Sequence, residues 1–138
     1  RGVVVGVDGS PAGAAAIDFA FAEAARRGAT LRAVHARRSL LPRGVLGPAP
    51  ALPRDGAERR LLAEALAGRR ERHPDVKVVE QIADGHPVDL LRQAAQDADL
   101  LVVGSRGLGG IRGLVLGSVS HALLHHAECP VAVVPSAR

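Results

Sequence analysis

The chain has 138 residues, 47% of them hydrophobic, with a formal net charge of +4 and only two aromatic side chains, Phe19 and Phe21. So few aromatic rings argue against stacking on single-stranded nucleic acid, and the arginines are interspersed with acidic residues rather than clustered, which argues against any nucleic-acid partner. No apolar run approaches the roughly 20 residues that span a bilayer, and the first residues lack a signal-peptide pattern, so we expect one cytoplasmic domain without a membrane partner.

Cysteine usage agrees with this expectation. Cys129 is the only cysteine, so no disulfide can form within the chain, as is usual in a reducing compartment. Pro130 and Val131 follow it, and this apolar context predicts a buried structural thiol. A chain of this length can also bury a sufficient core without a metal or a disulfide.

The first predicted strand and helix lie at the start of the chain. Residues 3–7 form an apolar, β-branched run that is typical of a central parallel strand covered on both faces. Ser10 is placed as an N-cap, Pro11 at the first helical position and Gly28 after the last, so a helix is predicted to about Arg27. Its buried stripe is predicted at Ile17, Phe21 and Ala24.

A strand, a long connection and a second helix are predicted next. Residues 30–36 form a short alternating stretch after Gly28 and are predicted as the second strand. Residues 37–56 hold four prolines, a composition that predicts no regular hydrogen-bonded structure. A helix is predicted over 57–72, with Leu62, Ala65 and Leu66 facing inward. The charged residues predicted on its solvated face are Glu58, Arg59, Glu64, Arg69 and Arg70.

The last third of the chain continues the alternation of strand and helix. The predicted elements are a strand at 76–82, a helix opening at Gly85-His86-Pro87 and ending near Asp97, a strand at 100–103, a helix at 118–127 and a strand at 131–134. Such alternation indicates βαβ units with right-handed crossovers. The predicted fold class is therefore α/β, a three-layer sandwich in which a five-stranded parallel sheet carries helices on both faces.

A glycine-rich stretch follows the fourth predicted strand, from Gly104 to Ser118, and contains six glycines. Glycine lets backbone N–H groups turn toward a ligand, and the start of the next helix favours an anion, so this stretch predicts a phosphate site. A Walker loop is excluded because Lys77, the only lysine, lies elsewhere. A dinucleotide fingerprint is excluded because Asp8-Gly9-Ser10-Pro11 follows the first strand instead.

One glycine spacing in this stretch does match a known pattern. The pattern Gly-x2-Gly-x9-Gly-Ser is fulfilled by Gly104, Gly107, Gly117 and Ser118. It occurs together with Val-Asp-Gly-Ser-Pro at 7–11, Val-His-Ala at 34–36 and Cys-Pro-Val at 129–131. In this combination the chain resembles the ATP-binding branch of the universal stress proteins along nearly its whole length.

The resemblance implies a parallel sheet in the order 3-2-1-4-5, of the adenine nucleotide alpha hydrolase-like type, and an ATP site. It implies that Val7 and Asp8 lie beside the adenine and ribose, that Ala36 lines the adenine pocket, and that Val103 and Gly104 border the ribose. Ser10, in the turn after the first strand, is counted with the nucleotide-binding residues. The residues implied to hold the phosphates, with Mg²⁺ or Mn²⁺ bound mainly by phosphate oxygens, are Gly107, Gly117, Ser118, Val119 and Ser120.

Simpler interpretations remain open for several of these residues. Asp8 also fits a plain cap of the first helix, and Arg106 fits either a phosphate-neutralising or a solvated surface charge. His35 and His86 are expected to be structural. A shared metal is permitted by the spacing of His121, His125 and His126, but Ala122 replaces the glutamate of a His-Glu-x-x-His motif, so we expect surface or dimer-facing imidazoles and no metal held by protein groups.

These features predict an ATP-binding stress-response or signalling protein that senses or stores adenine nucleotide and acts through dimer or partner contacts. Efficient turnover is not expected, because the glycine-rich stretch supplies neither a lysine nor an evident base. The alternatives are an adenine-nucleotide hydrolase-like enzyme and a non-nucleotide interaction module. An apolar edge strand invites pairing, and the resemblance points to a homodimer through Val131, Ala132, Val133 and Val134.

Overall fold

The computed structural model describes residues 2–37, 55–105 and 117–136, except for the side chain of Asp55. The elements are β1 (Gly2–Gly6), a 3-10 turn (Pro11–Gly13), α1 (Ala14–Arg27), β2 (Thr30–Arg37), α2 (Asp55–Arg72), β3 (Val78–Asp84), α3 (Pro87–Ala94), β4 (Leu100–Gly104), α4 (Ser118–His126) and β5 (Val131–Val134). Of the predicted connection at 37–56, Arg37 belongs to β2 and residues 55–56 begin α2, while the rest lies outside the described residues. Within the described ranges, no helix has the length and apolarity that crossing a membrane requires.

The five strands form one parallel sheet in the order β3-β2-β1-β4-β5, which confirms the predicted class and strand order. In the central register, Val5 of β1 is opposite Ala33 of β2 on one side and Val102 of β4 on the other. The chain therefore builds outward from β1 through β2 to β3, then returns across the sheet to β4 and continues to β5.

Two apolar clusters cover the two faces of the sheet. On one face, Val3 and Val5 of β1 pack with Phe21 of α1 and Leu62 of α2. On the other face, Val4 belongs to a second cluster that includes Leu91 of α3, Leu101 of β4 and Leu123 of α4. Because successive strand residues point to opposite faces, a strand buried on both sides needs an unbroken apolar run, as residues 3–5 provide.

The predicted inward faces of α1 and α2 are confirmed. Ile17, Phe21 and Ala24 are buried, and so are Leu62 and Leu66 of α2. Ala65 is only half-buried but packs against the same cluster.

The start of the first helix differs from the prediction. Its first turn is 3-10 rather than α-helical, and α1 itself begins at Ala14. Ser10 occupies the N-cap position of the 3-10 turn, yet its side chain makes no capping hydrogen bond there. The expected side-chain cap is wrong because the Ser10 hydroxyl donates to Asp8 Oδ1 instead, at 2.6 Å.

The ends of β1, β3 and α3 also differ from the prediction. β1 ends at Gly6, although Val7 stays attached because its N–H donates to the carbonyl of Val34 at 2.9 Å. β3 runs from Val78 to Asp84 rather than over 76–82, and its last residue is held by Arg37, whose Nε lies 2.6 Å from Asp84 Oδ1. That hydrogen bond lowers the pKa of Asp84 below its usual value. α3 ends at Ala94, before Asp97.

Cys129 is half-buried rather than fully buried, and it packs against the second apolar cluster. Its thiol donates a weak hydrogen bond to the Pro130 carbonyl, with a distance of 3.5 Å from sulfur to oxygen. Burial raises the pKa of the Cys129 thiol, which keeps it in the neutral, unreactive form at neutral pH.

Two glycines of the helices give a test of backbone conformation. Gly28 caps α1 in the left-handed region with φ of 61°, whereas Gly68 lies inside α2, and an added Cβ would meet nothing within 4 Å at either position. We expect Gly28→Ala to lower the free energy of unfolding by about 1 kcal/mol, since an L side chain is strained there. Gly68→Ala should raise it by about 0.5 to 1 kcal/mol through helix propensity. Urea denaturation measures the free energy of unfolding of both variants, and changes of the same sign would contradict the left-handed conformation of Gly28.

Candidate functional site

The reversal of strand order lies between β1 and β4, which are neighbours in the sheet although α1, β2, α2, β3 and α3 lie between them in the chain. In an open parallel sheet, such a reversal opens a crevice beyond the carboxyl ends of the two strands. The segments that leave these ends begin at Val7 and Asp8 on one side and at Ser105 on the other. The candidate site is therefore placed beyond the carboxyl ends of β1 and β4, which we call the carboxyl edge of the sheet.

A tight turn fixes Asp8 at this edge. Asp8 Oδ1 accepts two hydrogen bonds from Ser10, one from the backbone N–H at 2.9 Å and one from the hydroxyl at 2.6 Å. Gly9 between them has φ of 81°, and a Cβ added there would lie 3.0 Å from Leu61 Cδ2 of α2. The turn thus needs glycine both for its conformation and for the close approach of α2.

A cleft of about 410 Å³ lies between this turn and α2, within the range of about 300 to 1,000 Å³ that is usual for small-molecule sites. The lining residues from the β1–α1 segment are Val7, Asp8, Gly9, Ser10, Pro11, Gly13, Ala14 and Ile17. The lining residues from α2 are Leu61, Glu64, Ala65 and Arg69. Three predicted nucleotide-binding residues, Val7, Asp8 and Ser10, therefore share one cleft.

The α2 wall of the cleft was missed by the sequence analysis. Glu58 and Arg69 were predicted on a solvated face, but both are half-buried and bonded: Glu58 contacts His35, and Arg69 Nε donates to Asp18 of α1 at 2.7 Å. The helical spacing indicates this burial. Glu58 lies four residues before Leu62, and Arg69 lies three residues after Leu66, so both are on the same face as the buried leucines.

His35 is buried behind the turn, with 8% of the residue exposed. Its Nδ1 lies 2.7 Å from the carbonyl oxygen of Val7, and its Nε2 lies 2.5 Å from Glu58 Oε2. The Val7 carbonyl is an acceptor, so Nδ1 donates to it, and Nε2 shares a hydrogen bond with Glu58. His35 therefore links β1, β2 and α2. His86, by contrast, caps α3, with its Nδ1 accepting from the N–H of Val88 at 3.2 Å.

The other side of the crevice is formed by the end of β4 and the start of α4. Ser105 is buried, its N–H donates to the Val134 carbonyl at 2.9 Å, and its own carbonyl accepts from the N–H of Gly117. Ser120 is also buried, and its hydroxyl donates to the Gly117 carbonyl at 3.0 Å. The first residues of a helix have N–H groups without intrahelical acceptors, which makes the start of α4 electropositive.

The remaining predicted site residues are placed around these two sides. Ala36 is half-buried near the end of β2, while Val103 is buried and Gly104 half-buried at the end of β4. At the start of α4, Ser118 is exposed and Val119 is half-buried. Arg106 and Gly107 lie outside the described residues, as does the middle of the glycine-rich stretch.

The three histidines of α4 are exposed, with the ring centroids of His121 and His125 4.7 Å apart. In the described part of the chain, no three histidine, cysteine, aspartate or glutamate side chains are grouped as metal ligands.

Comparison with known proteins now adds to this geometry. The family model described as the universal stress protein family matches residues 1–135. The chain belongs to the universal stress protein family. A universal stress protein of Mycolicibacterium smegmatis is 44% identical over 132 residues, which cover 96% of this chain and 45% of that protein. One of Mycobacterium tuberculosis is 46% identical over 131 residues, covering 95% and 44%. This universal stress protein chain thus spans less than half the length of these curated relatives.

Solved structures of the family share the fold. A universal stress protein in complex with cAMP is 32% identical, with a TM-score of 0.73 over 99% of this chain and 98% of that one. A universal stress protein of Archaeoglobus fulgidus in complex with dAMP is 25% identical, with a TM-score of 0.71 over 97% of each chain. The expected adenine nucleotide alpha hydrolase-like fold is confirmed.

The Asp8 turn gives a second test. Asp8→Ala removes the acceptor of two hydrogen bonds, so we expect a loss of about 1 to 2 kcal/mol in the free energy of unfolding. Asp8→Asn keeps an oxygen at the same place and should cost less, and Ser10→Ala, which removes only the hydroxyl, should lie between wild type and Asp8→Ala. Urea denaturation gives the order of the three free energies of unfolding. Equal losses for Asp8→Ala and Asp8→Asn would contradict the role of Asp8 Oδ1 as the acceptor in this turn.

Proposed function

We propose that the chain forms one nucleotide-binding domain, residues 1–138, that binds ATP at the carboxyl edge of the sheet between β1 and β4. The observation that carries the proposal is the pairing of two features across the strand-order reversal: the fixed Asp8 turn with its cleft, and the start of α4 at the end of a glycine-rich stretch. The cAMP and dAMP complexes of similar family members support adenine nucleotide as the ligand class.

The adenosine part of the ligand is assigned to the β1 side. Val7, Asp8 and Ser10 border the cleft, and a carboxylate beside a ribose accepts hydrogen bonds from its hydroxyls. Ala36 is proposed to line the adenine pocket, with Val103 and Gly104 bordering the ribose.

The phosphates are assigned to the glycine-rich stretch and α4, through Arg106, Gly107, Gly117, Ser118, Val119 and Ser120. The amide of Gly117 already donates to Ser105 and the hydroxyl of Ser120 to Gly117, so the donors proposed at α4 are the backbone amides of residues 118–120. No acidic residue lies in the first turn of α4. Mg²⁺ or Mn²⁺ prefers oxygen ligands, and this donor set suits a cation held mainly by the phosphates themselves.

The role we propose is sensing or storage of adenine nucleotide without efficient turnover. Phosphoryl transfer to water needs a group that orients the attacking water, and the stretch from Gly104 to Ser118 holds neither a lysine nor an acidic residue. Calorimetric titration with ATP, ADP, AMP and cyclic AMP, joined to a phosphate-release assay, tests this role. Rapid phosphate release would favour the hydrolase-like alternative, and no binding of any nucleotide would favour the interaction module. A cytoplasmic location stays a prediction.

Gly117→Val tests the phosphate assignment. The backbone at Gly117 is extended, with φ of −72° and ψ of 165°, a conformation that valine adopts readily, so the fold should persist. The new side chain would stand beside the free amides of α4, and we expect ATP binding to be abolished in titration calorimetry. Gly68→Ala, which adds a methyl group at an exposed position of α2 with no atom within 4 Å, is the control and should bind as wild type. Undiminished affinity of Gly117→Val would remove the assignment.

We also propose a homodimer through β5, residues 131–134. These residues are half-buried, and β5 pairs with β4 on one side only in the described sheet. The carbonyls of Pro130 and Val134 accept hydrogen bonds from the N–H groups of Leu101 and Ser105, on the β4 side. Because the backbone groups of successive strand residues point to opposite sides, those of Val131 and Val133 point to the edge that β4 does not cover.

Val133→Pro tests this dimer, because it removes an outward N–H without touching the β4 ladder. We expect a monomer by analytical ultracentrifugation, with an unchanged circular dichroism spectrum. Ala132→Pro is the contrasting variant, since it faces β4 and should destabilise the fold. A wild-type chain that sediments as a monomer at high concentration would overturn the proposal.

A further inference from the structure

The contact between His35 and Glu58 joins the two walls of the cleft. His35 lies on β2, and its Nδ1–H donates to the Val7 carbonyl at the point where the chain leaves β1. Its Nε2 shares a hydrogen bond with Glu58 near the start of α2, the helix that supplies Leu61, Glu64, Ala65 and Arg69 to the cleft. A single imidazole therefore connects the Asp8 turn to the helix that faces it.

The Val7 peptide is held from two directions. Its N–H donates to Val34 and its carbonyl accepts from His35, both partners being residues of β2. Since Asp8 is the next residue, fixing this peptide fixes the direction in which the turn begins. His35 Nε2 also lies 2.5 Å from Glu58 Oε2, so the ring that holds the Val7 peptide contacts α2 as well.

We propose that His35 is a positioning residue for the nucleotide site: its ring holds the Val7 carbonyl through Nδ1 and Glu58, near the start of α2, through Nε2, so that Glu58 and His35 together define the width of the cleft. His35 is not among the residues that line the cleft, and its role is to hold the walls rather than to touch the ligand. The effect on binding rests on the proposed function, whereas the bonding of the ring does not.

The bonding is tested without any ligand. Nitrogen chemical shifts of His35 from long-range ¹H–¹⁵N spectra of labelled protein report which ring nitrogens carry protons. We expect Nδ1 of wild-type His35 to carry a proton, because the Val7 carbonyl accepts from it. In Glu58→Gln the side-chain amide can donate to Nε2, so Nδ1 should stay protonated. A wild-type ring with an unprotonated Nδ1 would overturn the proposal.

The positioning role is tested by one variant that keeps the contact to Val7 and one that loses both contacts. Asparagine places an amide N–H near the position of Nδ1, so His35→Asn keeps a donor for Val7, while His35→Ala loses both contacts. We expect His35→Ala to weaken ATP binding by about tenfold, with His35→Asn recovering most of this loss. His73→Ala removes another imidazole, which stacks on Phe21 away from the cleft, and should leave affinity unchanged.

The two proposals fail in different ways. If wild-type protein binds no nucleotide, the proposed function fails, and the nitrogen spectra decide the bonding of His35 alone. If wild-type protein binds ATP and His35→Ala, still folded by circular dichroism, binds equally well, the positioning role is overturned while the nucleotide site stands.

Discussion

Burial of β1 on both of its faces is the constraint on which the rest of the structure depends. Val3 and Val5 are covered by α1 and α2, and Val4 is covered by α3 and α4. β1 also lies at the centre of the sheet, with β2 on one side and β4 on the other. The reversal of strand order, and with it the crevice of the candidate site, follows from that central position.

The crevice has two sides that are built by different means. On the β1 side, side chains fix the backbone: Asp8 holds Ser10, and His35 holds Val7. On the β4 side, the backbone fixes itself, because Ser105 and Gly117 are joined by a main-chain hydrogen bond that brings the start of α4 to the end of β4. We propose that the first side recognises the nucleoside and that the second offers the amides that an anion needs.

The sequence was most informative where a local pattern had one structural meaning. The β-branched run at 3–5 and the stretch Leu100–Val103 predicted buried strands, and both are buried in the structure. Element ends were harder to predict, because the Ser10 hydroxyl could accept from the first turn of the helix or donate elsewhere, and it donates to Asp8, two residues earlier. The end of β3 was missed because Asp84 pairs in the sheet with Arg37 of β2, a residue 47 positions earlier in the chain.

The sequence by itself determined the order of elements, the parallel class of the sheet and the family, because hydrophobic period and glycine spacing are local properties of the chain. The tertiary structure alone decided which side chains of α2 enter the cleft. Glu58 and His35 are 23 residues apart. Their contact depends on the rotation of α2 about its own axis, which is set by the packing of Leu62 and Leu66 against the sheet. No local pattern carries that rotation, since it results from packing against α1 and β1 after the chain has folded.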